Sequence, residues 1–328
     1  MEIRPVSPDD ATGRAAALAL YERARQTDSP DSTGHTPVSF EGTMRYGWDG
    51  EPPLYHAGYE GDEMVGFIAV DLPRYDNTDA AWFDVAVAPE HRRRGLGSQL
   101  LAWGTEVAHA DGRHKLGMDG WDLPSTHGFA AKRGYERKSA DINRRQVIAD
   151  LDWEQLDKLF DEARLAAEGY ELVRILDTVP DDMLDAVVTM TAAINDAPTD
   201  DLDVEDEFFS PERVRAFEHA MITGRNRTLY RTVARHNESG ELAGHSVVGV
   251  ERDRPAVGWQ FDTAVMRSHR GHRLGLLVKI DVLRWLRDTE PALASIDTWN
   301  AESNQHMIAV NDAMGYRIIG RGVAFQKA

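Results

Sequence analysis

The sequence predicts an α/β protein made of two tandem copies of one fold, each a mixed (α+β), mostly antiparallel twisted sheet flanked by helices. Strand-like alternation and amphipathic helical stretches follow one another along the chain, which is typical of a sheet covered by helices. The chain also matches itself, because the segment 83–101 falls on 261–279, a shift of 178 residues (261 minus 83). A repeat of this length indicates a duplicated domain rather than a solenoid.

The two copies share one order of elements. Each opens with a short strand, near Ile3 and near Leu172, followed by a helix start marked by Ser or Thr, Pro and Asp. A hairpin with a Gly-containing turn follows at 54–70 and at 229–250. A Val- and Ala-rich strand then enters an Arg/Gly loop and an apolar-periodic helix leaves it. Another strand and helix end in Gly-Tyr before a final extended segment.

A connecting helix is predicted between the copies, at about residues 152–168. Apolar residues such as Leu156 and Phe160 recur there at three- and four-residue steps, which gives the helix one apolar face. Such a face should pack on one domain or between both. We therefore place an N-terminal domain at 1–149 and a C-terminal domain at 150–328.

Composition excludes several kinds of site and partner. The 328 residues include no cysteine, so disulfides, thiolate zinc sites and a catalytic thiol are excluded. The formal charge of -18 argues against a nucleic-acid partner, because a phosphate backbone needs a basic face. With no apolar run near the roughly 18 residues of a membrane span and no signal peptide, we expect a cytoplasmic protein without a membrane partner. The 12 histidines show no metal-ligand spacing, so we expect no metal.

The Arg/Gly loop of the first copy has the composition of an anion site. It reads RRRGLG at residues 92–97, between a predicted strand and a predicted helix. The first turn of a helix presents unpaired N–H groups and the positive end of the helix dipole, and glycine lets an anion approach the backbone. A solvated Arg-rich turn is the alternative. The recurrence of the loop at 270–275 favours a diphosphate site.

The strand and loop V-A-V-A-P-E-H-R-R-R-G-L-G, from Val85, resemble the acetyl-CoA motif of the GNAT superfamily of N-acetyltransferases. The second copy resembles an actinobacterial type of GNAT half in its T-A-V, H-R-G-H-R-L-G and T-W-N-A-E-S-N segments. The resemblance implies that N–H groups of residues 93–98 hold the CoA pyrophosphate, and that the preceding strand splays from its neighbour to hold the pantetheine and acetyl groups. The residues implied in acetyl-CoA binding are Val85, Ala86, Val87, Arg92, Arg93, Arg94, Gly95, Leu96, Gly97 and Ser98 in the first copy, and Ala264, Val265, Arg270, Gly271, His272, Arg273, Leu274 and Gly275 in the second.

Two departures from the family pattern make the copies unequal. The second loop has Arg273 where the first has Gly95, and a Cβ there would crowd an anion. Relatives carry a tyrosine that protonates the leaving thiolate, and that position is Ala130 in the first copy and Asn311 in the second. The first copy therefore keeps the better cofactor loop, and the second keeps the better polar set for an acceptor.

Acetylation of an amine needs a base and a hydrogen-bond donor to the developing oxyanion. The predicted catalytic residues all lie in the second copy and are Glu302, Asp262, Asn304 and Asn311. Because Asp84 recurs at the position of Asp262, a shared structural role is the alternative for that pair. The acidic stretch 196–207 is either a lid for a cationic acceptor or a solvated loop.

Together these observations predict an acyl-CoA-dependent N-acyltransferase with acetyl-CoA as co-substrate. The acceptor would be a primary amine of a small molecule that attacks the thioester directly. The negative charge of the chain would attract a cationic acceptor or would serve only solubility. The alternative function is a non-catalytic acyl-CoA-binding regulator that has lost the tyrosine. We expect a monomer or a homodimer.

Overall fold

A computed structural model describes residues 1–327. The strands are, in chain order, β1 (Glu2–Pro5), β2 (Leu54–Glu60), β3 (Glu63–Asp71), β4 (Ala80–Val87), β5 (Lys115–Trp121), β6 (Glu136–Val147), β7 (Tyr170–Leu176), β8 (Arg227–His236), β9 (Leu242–Glu251), β10 (Val257–Val265), β11 (Ser295–Ala301) and β12 (Arg317–Lys327). The α-helices are α1 (Ala11–Asp28), α2 (Pro37–Tyr46), α3 (Leu96–Ala110), α4 (Pro124–Ala131), α5 (Trp153–Ala166), α6 (Leu184–Thr191), α7 (Pro211–His219), α8 (Leu274–Thr289) and α9 (Gln305–Ala313). None of these helices is long and apolar enough to cross a membrane.

The elements form two compact units whose chain segments interleave. Unit 1 comprises residues 1–142, 199–206 and those from 319 onward, and unit 2 comprises 143–198 and 207–318. The chain changes unit within β6 and again within β12. The two units are therefore close to the two predicted copies but not identical with them.

The units depart from the predicted division at residue 149/150 most clearly near the C-terminus. The sequence assigned the last extended segment to the C-terminal domain, but from Ile319 onward β12 belongs to unit 1. There it pairs antiparallel with β5, and Val323 lies opposite Gly120. The residue pattern of a strand shows which of its faces is buried but not which strand it pairs with. The pairing of β12 with unit 1 therefore could not be predicted from the sequence.

The sheet of unit 1 has the order β1-β2-β3-β4-β5-β12, and the pairing is antiparallel except between β4 and β5. Neighbouring residues of β3 point to opposite faces. Phe67 packs with Leu20 of α1 on one face, and Ile68 packs with Leu100 of α3 on the other. Helices thus cover both faces of the sheet, and α3 is held directly behind β3 and β4.

Unit 2 repeats this arrangement. Its sheet has the order β11-β10-β9-β8-β7, with β10 and β11 as the parallel pair. The central strand β9 is buried along its whole length, and Leu277 and Ile280 of α8 belong to the apolar clusters behind the sheet. The predicted fold class is confirmed: both units are mostly antiparallel sheets flanked by helices.

The predicted connecting helix is present as α5 and packs on unit 2. Its first N–H groups are capped by Asp152, whose carboxylate accepts a hydrogen bond from the Gln155 N–H at 3.0 Å. Leu156 is buried in the apolar cluster that contains Leu286 of α8. Leu165, on the other face, is 80% exposed. The helix is thus a structural part of unit 2 rather than a tether.

The two leucines of α5 provide a matched test of this packing. Leu156→Ala leaves a cavity in the core of unit 2, and we expect it to lower the free energy of unfolding by about 2–4 kcal/mol. Leu165→Ala should change it by less than about 0.5 kcal/mol, because that side chain is exposed. Urea denaturation of both variants measures the difference. Equal effects would show that α5 does not pack as described.

Candidate functional site

Each unit has a gap in its sheet where the parallel strands part. In unit 1, β4 pairs with β5 only as far as Phe83 opposite Met118, although it stays paired with β3 up to Val87. In unit 2, β10 pairs with β11 only as far as Trp259 but stays paired with β9 up to Val265. The splay that the resemblance implied is therefore present in both units. Main-chain groups beyond the last pair face the gap.

Both loops reach their helix through two residues in the left-handed conformation. In the first loop these are Arg93 (φ 65°) and Gly95 (φ 86°), and in the second they are Gly271 (φ 90°) and Arg273 (φ 54°). The glycine and the arginine have exchanged places, so each loop keeps one strained arginine, which costs about 1–2 kcal/mol. A Cβ built on Gly95 meets no protein atom within 4 Å. The replacement by Arg273 therefore leaves the backbone conformation of the loop unchanged.

The loops present a series of backbone donors. Within residues 1–327, the N–H groups of residues 93–97 have no hydrogen-bond partner, and the same is true of residues 271–275. The N–H of Ser98, the last of the predicted set, donates to the Gly95 carbonyl at 3.1 Å. No side chain caps α3 or α8. Such a cluster of free donors at a helix start suits an anion.

The three arginines of the first loop have different tasks. Arg92 donates two hydrogen bonds to Asp28 of α1, both at 2.7 Å, and so fixes the loop. Arg94 donates to Glu60 at 3.0 Å. Arg93 is exposed and has no ion pair or hydrogen bond from its side chain within the described residues. It is therefore the arginine available to a bound phosphate.

The cations of the second loop are all engaged. Arg270 donates to Asp196 at 2.6 Å, and Arg267 shares the same carboxylate. Arg273 pairs with Glu162 of α5 at 3.1 Å. A phosphate at this loop would compete with carboxylates for these side chains. The two loops therefore have the same backbone and unequal free charge.

The acidic side chains of the stretch 196–207 are exposed, as in a solvated loop, and several of them also have partners in the protein. Within unit 1, Asp203 pairs with Lys115 at 3.0 Å. Glu205 and Asn77 exchange two hydrogen bonds, at 2.8 and 3.0 Å. Together with Asp196, these acids serve to fix neighbouring loops.

Asp262 lies in a bulge of β10, beside the gap of unit 2. Pairing with β9 is interrupted between Gln260 and Thr263, and a bulge redirects the side chains within it. Burial raises the pKa of the Asp262 carboxyl, and the guanidinium of Arg231 partly offsets this. Its carboxylate makes no hydrogen bond within the described chain, so it does not hold the loop. Arg270 has that task instead.

Unit 1 has its own carboxylates at the corresponding gap. Asp84 and Asp119 follow the last paired residues of β4 and β5. Both residues are exposed, although the protein around them limits the hydration of their carboxylates. It raises the pKa of Asp84 to about 6, and that of Asp119 to about 7 with help from the charges of Asp141 and Asp84. Sequence reasoning missed Asp119 and Asp141, because nothing local marks them as neighbours.

A buried lysine behind the gap of unit 2 was also missed. Lys279 of α8 is 2% exposed, and its Nζ donates to Oδ1 of Asn311 at 2.8 Å. Nδ2 of Asn311 in turn donates to Oδ1 of Asn300 at 2.6 Å. Burial lowers the pKa of Lys279 to about 7. The first copy has Leu101 and Ala130 at the places of Lys279 and Asn311, so this chain of hydrogen bonds is specific to unit 2.

The other two predicted catalytic residues lie in the turn after β11. Asn304 is the N-cap of α9, where its Oδ1 accepts from the Met307 N–H at 3.1 Å, and this gives it a structural task. Glu302 is half-buried directly after the strand. Trp299 of β11 is 42% exposed. No cluster of three or more potential metal ligands occurs among residues 1–327.

Known proteins resemble both the loop region and the whole chain. The family model described as "Acetyltransferase (GNAT) family" matches residues 15–135. A tandem GNAT protein from the clavulanic acid biosynthesis pathway is similar in structure, with a TM-score of 0.80 and 29% identity over 99% of this chain and 98% of that one. The mycothiol acetyltransferase of Rhodococcus opacus (strain B4) is 25% identical over 97% of this chain and 96% of its own length. The mycothiol acetyltransferase of Geodermatophilus obscurus is 33% identical over 46% of each chain.

The buried lysine makes a testable contribution to stability. Its pKa is about 7 in the folded state against an ordinary 10.5, so between these values the unfolded chain binds one more proton than the folded chain. Stability should therefore rise with pH in this window by up to about 1.4 kcal/mol per pH unit. Below about pH 7 the lysine is protonated in both the folded and the unfolded chain, so its destabilisation of the fold is at its full value and no longer changes with pH.

Lys279→Met should remove this rise, and Lys158→Met, at an exposed position of α5, should keep it. Denaturant unfolding at several values between pH 7 and pH 9.5 measures both slopes. If the wild type and Lys279→Met had the same slope, the neutral buried lysine would be disproved.

Proposed function

Because the chain belongs to the GNAT family of acetyltransferases, as a tandem member, we propose that it transfers the acetyl group of acetyl-CoA to a primary amine of a small molecule by direct attack. The observation that carries this proposal is the combination of a splayed parallel strand pair with a loop of free N–H groups. This combination occurs in both units. It suits a ligand with a diphosphate at one end and amide groups along its length.

In unit 1, acetyl-CoA would bind with its diphosphate at the N–H groups of residues 93–97. Arg93 would add a charge-assisted hydrogen bond, which is stronger than a neutral one. The main chain of Val85–Val87, unpaired on the side of β5, would receive the amide groups of pantetheine. The loop of unit 2 offers the same backbone, but within residues 1–327 both of its arginines are already paired with carboxylates. We therefore infer that unit 1 binds acetyl-CoA more tightly.

We place the transfer in unit 2. The amine nitrogen attacks the thioester carbonyl, the C–S bond breaks, and the proton of the amine passes to the Asp262 carboxylate. Main-chain N–H groups of β10 at the gap would donate to the oxyanion. The partly buried position of Asp262 supports its role as the base, since a carboxyl with a raised pKa accepts a proton more readily than an ordinary one.

The Lys279–Asn311–Asn300 chain takes the place of the family tyrosine in this proposal. Lys279 lies at the buried end and does not reach the reactants, so it is a positioning residue. Its hydrogen bond directs Oδ1 of Asn311 inward, and Asn311 in turn orients Oδ1 of Asn300 toward itself. The amide nitrogen of Asn300 is then directed away from this chain. Amides linked in series polarise one another, which favours negative charge on the leaving sulfur.

The acceptor is proposed as a small-molecule amine. Relatives named mycothiol acetyltransferases support this class, because they match nearly the whole chain. The deacetylated form of mycothiol is therefore one member of the panel that tests the proposal. Other members are simple diamines, amino sugars and amino acids.

The test is release of CoA thiol from acetyl-CoA with each amine of the panel. We expect amine-dependent release that Gly275→Glu lowers by at least about tenfold, because a carboxylate at the start of α8 repels the diphosphate. Gly275→Gln is the neutral control, and its Cβ would have only an ordinary contact with Val265, at 3.7 Å. Gly97→Glu should weaken acetyl-CoA binding and leave turnover at saturation largely unchanged.

Two outcomes would contradict the proposal. Tight binding of acetyl-CoA without thiol release for any amine would support the non-catalytic regulator. Loss of turnover in Gly97→Glu alone would move the chemistry to unit 1.

A further inference from the structure

Arg231 of β8 is a buried cation without a matching anion. It is 6% exposed, and its side chain makes one hydrogen bond, from NH1 to Nδ1 of His245 at 2.8 Å. A guanidinium has five N–H donors, and buried charges are normally paired. Within the described residues no carboxylate is in ion-pair distance of Arg231. Buried Arg227, on the same strand, pairs with Glu251 at 3.4 Å.

The nearest acids do not satisfy Arg231. Glu218 of α7 acts on it only as a distant charge. The two oxygens of Glu218 already accept hydrogen bonds, from the Val179 N–H at 2.8 Å and from Arg215 at 2.7 Å. Asp262 also interacts with Arg231 through its charge and without a hydrogen bond. The guanidinium therefore keeps most of its donors unused.

His245 orients Arg231 but does not neutralise it. Burial and the charge of Arg231 keep the pKa of His245 well below its ordinary 6.5, so the imidazole is neutral. Since Nδ1 accepts from Arg231, the ring proton lies on Nε2. Within the described residues, Nε2 of His245 is buried and has no hydrogen-bond partner. Each nitrogen of Arg231, by contrast, either has a hydrogen-bond partner or contacts solvent. The free donors of Arg231 are thus still reached from solvent.

The strand register indicates that Arg231 lies near the gap of unit 2. Arg231 lies opposite Val247, and His245 lies opposite Ala264 in the neighbouring pair of strands. Asp262 precedes Ala264 by two residues, within the bulge. The proposed base and the unpaired guanidinium therefore lie close enough for their charges to interact. A small molecule could reach both.

We propose that Arg231 binds a carboxylate of the acceptor, so that the acceptor is an amino acid or another amine that carries a carboxylate. A carboxylate matches the planar fork of a guanidinium, and its single charge balances the single charge of Arg231. A doubly charged phosphate beside Asp262 would leave excess negative charge in a buried place. Anchored in this way, the acceptor presents its amine to Asp262. The inference rests on the proposed function and specifies the acceptor class.

The test uses pairs of acceptors that differ only in the carboxylate, namely amino acids and their amides. For the wild type we expect kcat/KM for the better acid to exceed that for its amide by at least about 30-fold. Arg231→Gln should remove this preference by raising KM for the acid, with acetyl-CoA binding unchanged. Arg231→Lys should restore part of it. Arg235→Gln is the matched control, because Arg235 lies four residues further on β8 and pairs near the surface with Glu171.

Calorimetric binding of the same pairs separates this inference from the proposed function. Turnover of amines with no preference for the acid would overturn the role of Arg231 and leave the transferase intact. Absence of any turnover would reject the transferase, and binding of the acids but not of the amides would still support the anion site. If Arg231→Gln did not fold, the comparison of acids with amides on the wild type would decide alone.

Discussion

Backbone groups that lose their partners in a sheet must find others, and this constraint organises both units. β4 leaves β5 after Phe83, and β10 leaves β11 after Trp259, while each keeps its antiparallel partner on the other side. The parted strands lead directly into loops in which the N–H groups of residues 93–97 and 271–275 have no partner within residues 1–327. Main-chain polar groups are nearly always paired in folded proteins, whether within the chain, with water or with a ligand. A ligand rich in amides and ending in phosphate meets this requirement along its whole length.

The two copies have kept this backbone and changed what surrounds it. The left-handed positions of the loop are conserved between the units although glycine and arginine have exchanged places there. In unit 1 one loop arginine is free, and the position of the family tyrosine is an alanine packed behind the sheet. In unit 2 the loop arginines are bound to carboxylates, but Lys279 and Asn311 form a polar chain toward the gap. Such changes fit a division of tasks between binding and chemistry.

Much of this organisation could be predicted from the sequence, because the duplication repeats the same residue pattern in both halves of the chain. The recurrence of 92–97 at 270–275 identified both loops, and the apolar periodicity of 152–168 identified α5. What could not be predicted depends on pairing in three dimensions. The transfer of β12 to unit 1 and the fixing of Arg270 by Asp196 join residues far apart in the chain.

The missed site residues have the same origin. Lys279 lies in an otherwise apolar helical run, and only its hydrogen bond to Asn311 shows that it belongs to the site. Arg231 is identified by its lack of a carboxylate partner within the described residues, and no sequence pattern shows which buried charges are paired. The sequence signal available for Lys279 was the comparison of the copies, since leucine stands at its place in the first.

Within residues 1–327, Arg93 is the one loop arginine whose side chain has no partner, so the two loops should bind acetyl-CoA with unequal affinity although their backbones match. Calorimetric titration of the wild type and of Arg93→Gln with acetyl-CoA measures this difference in affinity. We expect two binding events of different affinity, of which Arg93→Gln weakens the tighter by about tenfold and leaves the weaker unchanged. Two equal sites in the wild type, or a tight site that Arg93→Gln does not affect, would contradict it.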